Sequence, residues 1–137
     1  MHDVPAGRFV LPRTTAAVPL ARALVRDALA GARELDAAEL LTAELVANAV
    51  EHTRGDGPIE LVVEFLADDC RIEVHDGDPR PPERLAARPD EALPDLWQEH
   101  GRGLLLIRTL SSACGHRPTA QGKAVWFTLP LRSAAAV

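Results

Sequence analysis

Tyrosine is absent from the 137 residues, and lysine occurs once, at position 123. Three Phe and two Trp make up the aromatics, and 20 acids against 15 bases leave a net charge of −5. A general nucleic-acid binder needs a basic face for phosphates and rings for stacking, so direct nucleic-acid binding is disfavoured. No apolar run is long enough to span a bilayer, which argues against membrane insertion. The opening MHDVPAGRFVLP carries an acid early and no long apolar stretch, and is not expected to be a signal peptide. Only two cysteines occur, Cys70 and Cys114, far apart, with one inside a strand-like run. They read as buried free thiols, with a cytoplasmic location as the default.

What is present suffices for one domain. With 47 % apolar and 26 % charged residues, the chain is able to bury a core without metal or disulfide staples. A multidomain enzyme is excluded by length. The expected domain covers residues 8–131, with flexible termini at 1–7 and 132–137.

The pattern of elements predicts an α/β two-layer sandwich with a mixed, mainly antiparallel sheet covered on one face by helices. Residues 8–11 read as a short strand. Apolar residues at helical spacing from Val18 to Leu29 predict a first helix, beginning close to Ala17 or Val18 because Pro19 is tolerated only in a first turn. Asp36 and Glu39 read as a capping box opening a second helix, which stops before Gly55. Two strands follow, Ile59 to Ala67 and Cys70 to Asp76, joined at Asp68-Asp69, each with one wet face and one dry face. Residues 77–103 lose periodicity and carry five prolines, as a functional loop or lid does. An apolar helix through Cys114 comes next, ended by Gly115. A strand at Arg117 to Ala120, a turn at Gln121-Gly122 and a last strand AVWFTLPL close the domain.

The second helix carries an oddity. Asn48 lies about 40° from Glu44 around the helix and His52 about 80°, so polar groups stack beside apolar neighbours. A half-buried carboxylate costs energy unless it is paired or bound to something. One reading is a satisfied polar network of Glu44, Asn48 and His52. A second is a Mg²⁺-nucleotide site, with the Asn48 oxygen as a hard ligand and Glu44 holding or deprotonating a water. Zinc held by His52, His75, His100, His116 and the cysteines is a third, but their spacing is not compact.

Four segments in order, ELVANAVEH, EVHDGDP, HGRGLLLI and GKAVWFTLP, resemble the motifs of the Bergerat-fold ATPase superfamily. That superfamily includes DNA gyrase B, sensor histidine kinases and the bacterial anti-sigma-factor serine kinases. Small size and two leading helices resemble the last group, and within it the small actinobacterial regulators. The resemblance implies a cytoplasmic ATP- and Mg²⁺-dependent serine/threonine kinase regulating transcription. It would act through a small protein partner, an antagonist or a sigma factor, and a homodimer through the first strand and helix fits the group. A protein-interaction switch module on the same fold is the alternative.

By the same resemblance Glu44 is the catalytic or water-orienting carboxylate, and Asn48 the Mg²⁺ ligand. Asp76, followed by Gly77, accepts from the adenine amino group; on local evidence alone, Asp76 also reads as a strand-end turn cap. Gly101, Arg102 and Gly103, with Leu104 opening the helix behind them, bring amides and a guanidinium to the phosphates. Thr128 is implied on the strand behind the base. The usual Asp-x-Gly-x-Gly stretch here reads Asp76-Gly77-Asp78-Pro79-Arg80, and Pro79 has no amide hydrogen. Lys123, just before the last strand, reads either as a solvated turn residue or as one within reach of a nucleotide.

Overall fold

A computed structural model describes residues 4–53, 57–80 and 110–131, the side chains of 4–6 and 52 excepted. Its elements are β1 (Val4–Leu11), α1 (Ala17–Ala28), α2 (Leu35–His52), β2 (Ile59–Leu66), β3 (Asp69–Asp76), β4 (Ala113–Pro118) and β5 (Lys123–Pro130). The strands form one sheet in the order β1-β2-β3-β5-β4, and all four pairings are antiparallel. Both helices lie on one face, as the dry side of the strands requires. The result is the two-layer α/β sandwich expected from the sequence.

In α1 a stripe of Ala17, Ala21, Val25 and Leu29 turns fully inward. Its four-residue spacing is one helical turn repeated. Pro19 sits in the first turn, where its missing N–H has no intrahelical partner to lose. Past the helix, Gly31 takes φ +87, a left-handed conformation that costs glycine little.

The start of α2 departs from expectation. The helix opens at Leu35 with Glu34 as N-cap, and no side chain caps it. Asp36 is therefore already inside the helix, and Glu39 turns toward α1 instead. Arg26 Nε and Nη2 donate to the Glu39 carboxylate at 3.0 and 2.8 Å, and Arg22 lies 3.6 Å away. Two guanidiniums offer the carboxylate more than one backbone amide would. These hydrogen bonds from Arg26, more than charge alone, hold the Glu39 carboxyl below its ordinary range.

The core fills the space between helices and sheet. Leu61, Val74 and Val125 form one cross-strand row, and Val63, Ile72 and Phe127 the next. Leu41, Leu45, Val46 and Ala49 of α2 close over them. Each buried Val, Leu, Ile or Phe side chain among them contributes roughly 1.5–3 kcal/mol by leaving water.

Other boundaries differ from the sequence reading, and β1 already begins at Val4 rather than at Arg8. The β2–β3 turn is Ala67-Asp68, one residue earlier than expected, because Leu66 pairs with Asp69. Leu131 N–H closes over that turn onto Asp68 O at 2.8 Å. The apolar helix does not run through Cys114: Leu110 is helical, Ser111 and Ser112 bend, and β4 begins at Ala113. Ser112 N–H and Oγ–H both bond to Thr128 O, at 2.9 and 3.0 Å, and so fasten the chain to β5. Strand pairing thereby displaces the helical continuation that the apolar spacing suggested, and Gly115 lies within β4 rather than ending a helix. The strand expected at Arg117 to Ala120 is the end of β4, with Thr119 to Gly122 forming the turn. Of the expected irregular loop, 81–103 lies outside the described residues.

The far face of the sheet is polar but not simply wet. Glu73 is only 4 % exposed there, under the long side chains of Arg71 and Arg117. The Arg71 guanidinium also lies 4.4 Å over the Trp126 ring, a cation–π contact.

Candidate functional site

Asp76 ends β3 and stands opposite Lys123, the first residue of β5. Antiparallel pairing puts the two side chains on the same face, toward the helices, at one end of the sheet. The Asp76 residue is 5 % exposed and Lys123 3 %. Lys123 Nζ donates to Asp76 Oδ1 at 3.1 Å and to the carbonyl of Asp78 at 2.9 Å. The N–H of Asp78 donates to the same Asp76 Oδ1 at 2.8 Å. Asp76 is thus the strand-end turn cap that its local sequence suggested. Oδ1 serves the turn, while Oδ2 takes no hydrogen bond from the described residues.

The next turn repeats the device. Asp78 Oδ1 accepts from the N–H of Arg80 at 3.0 Å, and Arg80 Nη2 reaches Asp78 Oδ2 at 2.7 Å. Residues 76–80 thus coil through two side-chain-to-backbone bonds, each carboxylate paired with a cation of the same chain. Gly77 is exposed and makes no close approach. The close approach falls on Gly122, whose Cα faces the backbone of Asp76 and Gly77. Thr119 anchors that turn: its N–H donates to Gly122 O, and its Oγ1 accepts from Gly122 N–H, both at 3.0 Å.

Glu44 and Asn48 lie one turn apart on α2, both half-buried. The buried side of the helix carries Ala38, Leu41, Thr42, Leu45 and Ala49, while Leu40 and Glu51 face outward. The two polar residues therefore sit at the margin of the packed face, with buried Leu41 and Leu45 on one side and exposed Leu40 on the other. α2 packs on β3 and β5, the strands that end at Asp76 and begin at Lys123.

Thr128 is placed elsewhere. Phe127 and Leu129 face the core, so alternation turns Thr128 to the far side of the sheet, where its Oγ1 meets Ser112 Oγ at 2.9 Å. It does not share the face of Asp76, a correction to the sequence reading. Gly101, Arg102, Gly103 and Leu104 lie outside the described residues, as does the His52 side chain. Lys123 is the residue that the sequence reading undervalued. It is a buried partner of Asp76, not a solvated turn residue. The signal was available: a lone lysine opens an apolar strand destined to pair with the strand that Asp76 ends.

The remaining candidates are quieter. Cys70 is buried and Cys114 half-buried, both free. Burial first, then the Asp69 charge, pushes the Cys70 thiol up to about 12, leaving it an unreactive core group. Among the described residues no three His, Cys, Asp or Glu are grouped to hold a metal ion. His75 Nε2 instead lies 2.8 Å from Glu73 Oε1. A separate groove of about 810 Å³ runs between β1 and α1, lined in part by Phe9, Leu20 and Leu24. Among the described residues no helix is long and apolar enough to cross a membrane.

Comparison with curated proteins finds no match. The family model of the histidine kinase-like ATPase domain matches residues 11–129, from the end of β1 almost to the end of β5. Domains of this type are ATP-binding enzymatic folds and generally bind ATP with Mg²⁺. The match spans nearly the whole chain, and the chain belongs to the histidine kinase-like ATPase domain family of the Bergerat-fold superfamily.

Proposed function

We propose that the protein binds ATP with Mg²⁺ and acts as an anti-sigma-factor-like serine/threonine protein kinase. It would work in the cytoplasm and regulate transcription through a small protein partner, an antagonist or a sigma factor. The observation that best supports this is Asp76, an acceptor-only carboxylate held nearly closed to solvent, whose Oδ2 takes no hydrogen bond from the described residues. That chemistry fits the amino group of adenine.

On this reading the Asn48 side-chain oxygen is the metal ligand, and Glu44 orients the partner's hydroxyl or takes its proton. The amides of Gly101 to Leu104, with Arg102, hold the phosphates. Mg²⁺ held at Asn48 would supply charge neutralisation at the phosphates during transfer. The groove between β1 and α1, beside exposed Val10 and Leu20, suits a homodimer contact.

One observation favours a second reading. The Asp78 carboxylate is paired with Arg80, and Pro79 between them offers no N–H, so this stretch has one donor fewer than the usual Asp-x-Gly-x-Gly arrangement. A switch module that binds its partner with or without nucleotide, and never turns over, answers to that geometry.

Calorimetry with MgATP separates the two. Wild type is expected to bind, and both Asn48→Ala and Asp76→Asn to weaken binding by about tenfold or more. Only Asn48→Ala should erase the dependence on Mg²⁺. No binding by the wild type sinks the kinase reading and leaves the module. Binding without transfer of labelled phosphate to a co-purified partner's serine or threonine decides for the switch.

A further inference from the structure

The Asp76–Lys123 pair is more than a structural ion pair on the edge of the fold. Lys123 Nζ has three protons, and the described residues accept two of them, at Asp76 Oδ1 and Asp78 O. Asp76 Oδ1 is in turn occupied twice, by Lys123 and by the N–H of Asp78. Among the described residues, one oxygen of the pair, Asp76 Oδ2, and one N–H, on Lys123, are thus without a partner. An acceptor and a donor stand side by side, facing the helix side of the sheet.

We infer that Lys123 is a specificity-determining residue of the nucleotide site, selecting adenine over guanine by meeting the base at ring nitrogen N1. This rests on the proposed ATP-binding function. The Watson–Crick edge of adenine presents one donor, the amino group, next to one acceptor, N1. Asp76 Oδ2 and the third Lys123 proton are the complement of that edge. Guanine presents two adjacent donors, N1–H and the 2-amino group, which a free carboxylate meets with both oxygens. Asp76 has only one to give, because Lys123 and the Asp78 amide saturate the other. The selection is thus exerted twice, once by what Lys123 offers and once by what it denies.

Burial makes the discrimination effective. At 3–5 % exposure, water does not readily replace a missing partner, so each unmet donor or acceptor carries its full desolvation cost. The position of the ammonium is also fixed. Lys123 follows Gly122, which packs on the Asp76 and Gly77 backbone, and the Thr119–Gly122 turn is closed by two hydrogen bonds.

The test compares MgATP, MgGTP and the magnesium complex of 1-deaza-ATP, in which N1 is a C–H, by calorimetry on wild type and Lys123→Met. Wild type is expected to bind 1-deaza-ATP and GTP each about tenfold more weakly than ATP. Lys123→Met should bind ATP about as weakly as wild type binds 1-deaza-ATP, and should no longer distinguish those two ligands. A lysine with a purely structural role would lower all three affinities together and keep their ratios. Equal binding of ATP and 1-deaza-ATP by the wild type overturns the inference without any variant, even if Lys123→Met fails to fold. Absence of all nucleotide binding by the wild type overturns the ATP-binding reading itself, and this inference with it.

Discussion

Gly122→Ala is expected to destabilise the protein by about 3 kcal/mol or more, whereas Gly77→Ala, across the same turn, should change stability by less than about 1 kcal/mol. A Cβ on Gly122 would stand 2.2 Å from the carbonyl oxygen of Asp76 and 2.6 and 2.7 Å from C and Cα of Gly77. All three are backbone atoms, so no rotamer change relieves the overlap. The β4–β5 turn must move away from the end of β3, and Lys123 moves with it. Its ammonium then loses Asp76 Oδ1 and Asp78 O, leaving two buried charges poorly paired. A Cβ on Gly77, by contrast, meets nothing nearer than Gln121 O at 3.8 Å. Urea unfolding of the two variants checks the contrast. Equal midpoints would mean that the two turns are not in register as described.

The contrast also shows which features were legible in the sequence. The dry faces of β2 and β3 could be read from alternation alone, since a period of two allows only one assignment of faces. The start of α1 was legible to within a residue because Pro19 confines it to the first turn. The α2 start was not, because Glu39 had two suitors, a backbone amide in its own helix and the guanidiniums of α1. Local pattern reading knows only the first. Cys114 was read into a helix because apolar spacing from residue 104 onward fits a helix well. Strand β4 wins through pairing with β5, a non-local contact that the spacing does not encode.

At the candidate site, the turn-capping role of Asp76 was legible from its place at a strand end. Lys123 was undervalued because a residue after Gln121-Gly122 looks like part of a turn. Only the register Asp76↔Lys123 reveals that it points inward. Thr128 failed for the converse reason: its motif suggested a role, while simple alternation with Phe127 already turned it to the other face.

That other face yields the second large effect. Glu73→Gln is expected to cost on the order of 3 kcal/mol near neutral pH and to flatten the acid limb of the stability curve. The wild-type carboxylate accepts from Arg117 Nη1 and Nη2 at 2.7 and 2.9 Å and from His75 at 2.8 Å. Arg71 Nε lies 2.9 Å from Oε2, close enough to pair in charge though its N–H is not aimed at that oxygen. Burial alone would push the Glu73 carboxyl up. The hydrogen bonds from His75 and Arg117, with the charges of Arg117 and Arg71, outweigh it and hold Glu73 down to about 2, against an ordinary 4.5.

A carboxyl lowered on folding stabilises the fold at pH values above its unfolded pKa. That stabilisation drains away as pH falls from about 4.5 toward about 2, where the folded carboxyl finally takes its proton. Over that window the slope should be steep in the wild type and shallower in Glu73→Gln, whose amide does not titrate. Arg117→Met supplies the control from the cation's side: it should raise the Glu73 midpoint and shift the acid limb to higher pH. Thermal melts from pH 2 to 7 on the three proteins read this directly. If the wild type and Glu73→Gln run parallel through the acid limb, the Glu73 cluster is not where acid sensitivity enters the fold. If they converge below about pH 3, the polar face of the sheet contributes to stability alongside the apolar core.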